Sequence, residues 1–126
     1  MESKKIIEAA DSLYNAQNTG VPVEPLSSRY PDITTEDAYQ VQNRITDMRI
    51  GQGRRIAGRK IGLTSQAMME MFKVDEPDYG VLFDDQIFSN NCFLDRSKMI
   101  QPRIEAEIAC LVSNPPGADP HSKLKL

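Results

Sequence analysis

The alternation of charged and apolar residues in the segment 102–109 constrains this chain more than any other feature of its sequence. Glu105 and Glu107 alternate there with Ile104, Ala106 and Ile108. In a strand, both glutamates lie on one face with their Cα atoms roughly 7 Å apart, whereas in a helix residues i and i+2 point away from each other. Two carboxylates on one face can converge on a divalent cation. The pattern therefore predicts a strand, and a metal site formed by these two carboxylates would require that strand.

A second interpretation of the same pattern is a solvent-facing strand edge with alternating charge, which is common in proteins. Ala109 and Leu111 continue the face of the two glutamates with apolar residues. Carboxylates beside an apolar surface are better explained if a bound group neutralises them. This continuation is an argument for a metal site, while the pattern alone is also typical of an exposed edge.

Length and composition restrict the class of protein. The 126 residues can form at most one domain, and the net charge of −3 gives no reason to expect nucleic acid or an anionic membrane as a partner. The first five residues show no apolar signal-peptide core, so we expect a cytoplasmic location, with Cys92 and Cys110 as free thiols. His121 is the single histidine, which argues against a histidine-based triad or zinc site.

Two amphipathic helices are predicted in the first half of the chain. The first covers residues 3–17, and a connector rich in proline, 21–31, follows it. The second begins at Thr34, whose spacing from Asp37 is typical of a capping box. Apolar residues then recur at steps of three and four until Gly51.

Strand-like segments dominate the second half. Residues 54–63 alternate as a strand, and Thr64 or Ser65 can cap a short helix after it. A polar loop at 74–80 precedes three short predicted strands, at 80–83, 86–88 and 92–94. The fold class predicted is α+β, with N-terminal helices followed by the short strands of an incomplete mixed sheet or roll. Residues 113–126, which contain three prolines, are predicted to be a disordered tail.

Two further residues are candidates for chemistry. Lys60 lies between Gly58 and Gly62, and these small neighbours leave room for a ligand; the alternative is an ordinary surface lysine. Asp78 follows a proline and precedes Gly80, which permits close approach of the backbone. A turn aspartate is the alternative there.

Three segments in a fixed order resemble a known family. They are residues 58–65 (GRKIGLTS), 74–82 (VDEPDYGVL) and 102–109 (PRIEAEIA). The chain is similar over about residues 1–112 to the N-terminal half of the 2-keto-4-pentenoate hydratase family, in the fumarylacetoacetate hydrolase-like superfamily. Related members are 2-oxohept-4-ene-1,7-dioate hydratase and 4-oxalocrotonate decarboxylase. The form of the first segment points to the hydratase branch. The resemblance implies that residues 1–112 are the N-terminal half of a hydratase-like domain and that 113–126 are a tail outside the family.

The resemblance also implies a set of site residues. Glu105 and Glu107 would hold a divalent metal, Mg²⁺ or Mn²⁺, and the family's third acidic ligand would fall beyond residue 126. Lys60 would transfer a proton or support the enolate, and Asp78 would position water or that lysine. Residues for substrate binding would be Gly62 and Leu63.

The implied activity is that of a hydro-lyase. It would add water to 2-hydroxypenta-2,4-dienoate and give 4-hydroxy-2-oxopentanoate in the catabolism of aromatic compounds. The partner would be this small-molecule substrate, with no nucleic acid or membrane, and a homo-oligomer is left open. Two alternatives remain: an inactive fragment or interaction module of the family, and a 4-oxalocrotonate decarboxylase.

Overall fold

A computed structural model describes residues 1–112 of the chain. The helices and strands in chain order are α1 (Ser3–Thr19), α2 (Leu26–Arg29), α3 (Thr35–Gly51), β1 (Ile56–Gly62), α4 (Gln66–Phe72) and β2 (Asp78–Phe83). Two short 3₁₀ turns follow, at Asp84–Gln86 and Arg96–Lys98. No helix within the described part is long and apolar enough to span a bilayer.

Helix α1 forms as its apolar spacing predicts. Ile6, Ala9 and Ala10 fall on one face and are buried, the two alanines completely. The helix ends at Gly20, which has a φ of 70° and donates its N–H to the carbonyl of Ala16 at 2.9 Å. A residue with left-handed backbone at this position satisfies a carbonyl of the last turn, and glycine adopts it most readily.

Helix α3 begins with the predicted capping box. Thr34 Oγ1 accepts the backbone N–H of Asp37, and the Asp37 carboxylate accepts the backbone N–H of Thr34. Asp37 is buried and also lies 2.6 Å from the α-ammonium group of Met1. The start of α3 is thereby tied to the start of the chain.

The core lies between α1 and α3. Val41 of α3 packs against the buried face of α1, and four partly buried side chains surround them: Leu13, Leu26, Tyr30 and Ile45. This pairing of two amphipathic helices removes both apolar stripes from water.

The segment 21–31 between the two long helices, predicted to be a loop or extended connector, is partly helical. It contains the single-turn helix α2, which starts after Pro25 and places Leu26 against the core. Pro25 accepts hydrogen bonds from the N–H groups of Ser28 and Arg29. Proline has no N–H to lose at the start of a helix, so it can precede this turn as well as a loop.

Strands β1 and β2 form an antiparallel pair, and with the preceding helices they confirm the predicted α+β class. Lys60 pairs with Gly80, and Gly62 pairs with Asp78. An irregularity between Ile56 and Gly58 shifts the register at the other end. Strand β2 starts at Asp78, inside the segment predicted to be a loop.

Three predicted strands are wrong. Residues 86–88, 92–94 and 102–109 belong to no strand in the structure. At the first of these, Gln86 Oε1 accepts the N–H of Phe83 at 2.9 Å, which ends β2 in a 3₁₀ turn. A strand needs a neighbour for its N–H and C=O groups, and the described residues place none beside these segments. The tail predicted for 113–126 lies outside the described residues.

Candidate functional site

A cavity of about 540 Å³ opens where β1 ends and β2 begins. All six site residues predicted from the sequence line it: Lys60, Gly62, Leu63, Asp78, Glu105 and Glu107. They come from two strands, the turn after β1 and the irregular segment that ends the described chain. The structure thus brings together residues that are up to 47 positions apart in the sequence, counting from Lys60 to Glu107.

Lys60 and Glu105 form an ion pair across this cavity. Lys60 Nζ lies 3.6 Å from Glu105 Oε2, and both side chains are more than half exposed. An ion pair this open to solvent adds little to stability. The ion pair matters for the geometry of the site, because it places the Lys60 ammonium group beside Glu105, the first of the two glutamates.

Two glycines, Gly62 and Gly80, line the cavity and leave space for neighbouring side chains. A Cβ atom on Gly80 would lie 3.3 Å from Lys60 Cγ, and a Cβ atom on Gly62 would collide with Asp78 Oδ1. Each glycine is therefore paired across the strands with the charged residue whose side chain uses the free space. The glycines let Lys60 and Asp78 lie close over the backbone.

Residues of the turn after β1 also line the cavity. Leu63 has a φ of 55°, which is unusual for a residue with a branched side chain. Ser65 Oγ then accepts the N–H of Met68 and caps α4. This sharp reversal turns residues 62–65 toward the cavity instead of continuing the strand.

Glu105 and Glu107 line the cavity, although they do so from an irregular segment and not from the predicted strand. Their four carboxylate oxygens are donors of the type that Mg²⁺ and Mn²⁺ prefer. Within residues 1–112, no group of three or more His, Cys, Asp or Glu side chains is arranged to hold a metal ion. The donor set fits a hard cation that keeps water or substrate as its other ligands.

The other acidic residues of the second half lie outside the cavity. Asp84 accepts hydrogen bonds from the backbone and side chain of Arg55, and these lower the pKa of Asp84 below its usual 3.8, the backbone bond contributing most. Asp85 pairs with Arg49 and Arg54. These ion pairs connect the end of β2 with α3 and with the residues just before β1. Cys92 and Cys110 are free and exposed.

Sequence reasoning missed the contribution of α3 to the cavity. Gln42 lines the cavity near Gly80 of β2. One turn earlier, Tyr39 stacks on Tyr79 with ring centroids 4.5 Å apart, and its hydroxyl accepts the N–H of Tyr79. No spacing or motif in α3 marks these residues, because their position depends on how α3 packs against the strands.

Relatives of known name match most of the chain. It is 48% identical over 101 residues to a 2-keto-4-pentenoate hydratase of Paraburkholderia xenovorans strain LB400, a match that covers 80% of this chain and 38% of the relative. A 2-oxo-hept-4-ene-1,7-dioate hydratase of Escherichia coli is 41% identical over 106 residues, which are 84% of this chain and 40% of the relative. Over this shared stretch, the chain belongs to the 2-keto-4-pentenoate hydratase family. The predicted family is confirmed, although no protein-family model matches the chain.

A solved structure supports the fold of this hydratase-family chain. The 4-oxalocrotonate decarboxylase from Pseudomonas putida G7, complexed with magnesium and adipate, matches with a TM-score of 0.66 and 32% identity over 68% of this chain and 32% of the decarboxylase. The same enzyme is also known complexed with calcium and acetate. The chain therefore spans about two fifths of its first curated relatives and a third of this solved structure.

Proposed function

We propose that this chain carries part of the active site of a metal-dependent hydratase that adds water to 2-hydroxypenta-2,4-dienoate. The product would be 4-hydroxy-2-oxopentanoate, and the pathway the catabolism of aromatic compounds. The observation that carries this proposal is the cavity that Lys60, Asp78, Glu105 and Glu107 share. The relatives' names, which include a 2-hydroxypent-2,4-dienoate hydratase of Pseudomonas putida, support the reaction. We propose residues 1–112 as one part of a hydratase-like domain.

Glu105 and Glu107 would hold a divalent cation, Mg²⁺ or Mn²⁺. The magnesium and calcium complexes of the related decarboxylase support the binding of a divalent metal. When bound, the cation supplies a Lewis acid that stabilises negative charge developing on the substrate. Both glutamates line the same cavity as the residues proposed to bind the substrate, so the cation and the substrate would share this cavity.

Lys60 and Asp78 would carry the proton transfers. The Lys60 ammonium group lies in the cavity next to Glu105 and can deliver a proton to carbon 5 of the dienoate. The Asp78 carboxylate, held over Gly62, can accept a hydrogen bond from the water that adds at carbon 4. Gly62 and Leu63 would position the substrate from the turn after β1.

Decarboxylation of 4-oxalocrotonate is the second candidate reaction. The solved neighbour with 32% identity performs it, according to its name. The curated hydratases are more similar in sequence, at up to 48% identity, and this favours hydration.

The test is the loss of dienol absorbance of 2-hydroxypenta-2,4-dienoate with the purified chain in Mn²⁺ or in EDTA. We expect metal-dependent turnover that disappears in Glu105→Gln and persists in Glu76→Gln, a matched change at an exposed residue outside the cavity. Turnover that ignores EDTA and Glu105→Gln would contradict the metal role. A folded chain without turnover would favour the inactive or interaction-module alternative, and faster consumption of 4-oxalocrotonate would favour the decarboxylase.

A further inference from the structure

Gln42 is a polar residue of α3 with an unsatisfied buried group. Its Nε2 atom is the buried side-chain nitrogen or oxygen that has no hydrogen-bond partner within residues 1–112. Buried polar atoms in native proteins are nearly always paired, so an exception requires an explanation. A bound ligand that supplies the missing acceptor is one such explanation.

The position of the Gln42 amide connects it with the candidate site. Gln42 Oε1 lies 3.9 Å from the place where a Cβ atom on Gly80 would stand, and the same place is 3.3 Å from Lys60 Cγ. The amide therefore reaches the cavity at the point where Lys60 crosses Gly80. Gln42 also borders a second cavity of about 320 Å³ between α1, α3 and β2, but Gly80 lines the first cavity and not the second.

The charges of the cavity indicate what kind of ligand an amide donor would hold. Asp78, Glu105 and Glu107 supply only acceptors when ionised, and Lys60 is already paired with Glu105. The Gln42 amide adds a neutral donor that can turn about its last side-chain bond and present its N–H groups toward Gly80. A ligand with a carboxylate or carbonyl oxygen matches such a donor.

We propose that the side-chain amide of Gln42 binds an oxygen of the 2-oxo or 2-hydroxy acid held in this cavity. The inference rests on the proposed function and adds a ligand-binding residue to it. Without ligand, Nε2 has no partner; with ligand, it donates to the acid. Gln42 thus contributes to affinity and not to the stability of the ligand-free chain.

The experiment is a calorimetric titration of the full chain with 2-oxopentanoate in MgCl₂. This saturated 2-oxo acid has no carbon–carbon double bond to hydrate, so binding is measured without reaction. We expect Gln42→Met, which keeps the length of the side chain and removes the donor, to raise the Kd by about 10- to 100-fold. Gln42→Glu replaces the donor with an acceptor and should raise the Kd at least as much. Gln40→Met, at an exposed residue of the same helix, should leave the Kd unchanged.

Thermal unfolding without ligand supplies the second measurement. We expect Gln42→Met to melt no lower than the unsubstituted chain, because the amide nitrogen loses no partner. A clearly lower Tm would assign Gln42 to the fold and overturn the inference. An unchanged Kd in both Gln42 variants would overturn the inference alone, since the unsubstituted chain would still bind the acid. Failure of the unsubstituted chain to bind 2-oxopentanoate would overturn the proposed function as well.

Discussion

Asp78 lies directly opposite Gly62 in the β1–β2 ladder, and its Oδ1 occupies the space in which a side chain at position 62 would begin. The absence of a side chain at Gly62 therefore sets the position of the Asp78 carboxylate at the mouth of the cavity. Gly62 contributes to the site because it has no side chain. Adding a single methyl group at this position tests that contribution.

Gly62→Ala should weaken the site more than the fold. The atom in conflict is the end of an exposed side chain, so Asp78 can move away and the free energy of unfolding should change by less than about 1 kcal/mol. A displaced Asp78 should lower turnover of the dienoate by about tenfold or more. Gly58→Ala is the matched control on the same strand, since its new Cβ would meet only Leu82 Cδ1 at 4.0 Å.

A double-mutant cycle separates displacement of Asp78 from other effects of Gly62→Ala. In an Asp78→Ala background, the added methyl group has no carboxylate to displace. The Gly62→Ala change should then have little further effect on turnover or binding. Equal losses in both backgrounds would show that the methyl group acts elsewhere in the cavity.

The helical half of the fold could be predicted because its signals are local. The Thr34–Asp37 capping box and the glycine after α1 are encoded within a few residues, and the structure has both where the sequence indicates. The strand predicted around Glu105 failed for the opposite reason. A period of two favours extended backbone, but a strand exists only where another chain segment meets its hydrogen-bonding groups.

The residues of the candidate site likewise differ in whether the sequence alone can indicate them. Lys60, Asp78 and the two glutamates were grouped by resemblance, not by their spacing, and the structure places them around one cavity. Their chemical roles stay predictions. Gln42 could not be found from the sequence, because its importance arises from the contact between α3 and β2 and not from any pattern within α3.

Arg49 should stabilise the contact between α3 and the end of β2. Its Nη2 donates to both carboxylate oxygens of Asp85, at 2.8 and 3.0 Å, and its guanidinium carbon lies 4.5 Å from the centre of the Phe83 ring. Arg49→Met should lower the free energy of unfolding by about 1–3 kcal/mol, measured by urea denaturation. Arg44→Met, at an exposed residue of the same helix, should change it by less than about 0.5 kcal/mol.

A double-mutant cycle that combines Arg49→Met with Phe83→Leu isolates the interaction of the Arg49 guanidinium with the Phe83 ring. We expect a coupling of about 0.5–1 kcal/mol, since the arginine is mostly but not fully buried. Additive losses would assign the whole effect of Arg49 to its hydrogen bonds with Asp85.

Gly20 should be more sensitive to replacement by alanine than Gly51, the glycine that ends α3. Its φ of 70° is strained for any residue with a Cβ atom, whereas the space around it is open except for Ser97 O at 3.5 Å. Gly20→Ala should therefore cost about 1 kcal/mol of stability through the backbone alone. Gly51→Ala provides the control, because its φ is ordinary and its Cβ would meet nothing within 4 Å. Equal melting temperatures of the Gly20→Ala and Gly51→Ala variants would show that the backbone of Gly20 has no special role in stability.

Acid should weaken the fold through Asp37. The hydrogen bond from the Met1 ammonium group, followed by those from the backbone and hydroxyl of Thr34, lowers the pKa of Asp37 from 3.8 to about 2. Because the folded pKa is the lower one, the ionised carboxylate stabilises the folded chain above pH 3.8. This contribution is lost as the pH falls from about 4 to about 2.

Asp37→Asn tests this dependence, because the amide keeps the shape of the side chain and removes its charge. We expect the urea midpoint of the variant to lie below that of the unsubstituted chain at pH 7, and the gap to close between pH 4 and pH 2. Asp47→Asn, at an exposed position of α3, should have a urea midpoint close to that of the unsubstituted chain at every pH. If the gap for Asp37→Asn were as large at pH 2 as at pH 7, the carboxylate would stabilise α3 by its shape and hydrogen-bond acceptors and not by its charge.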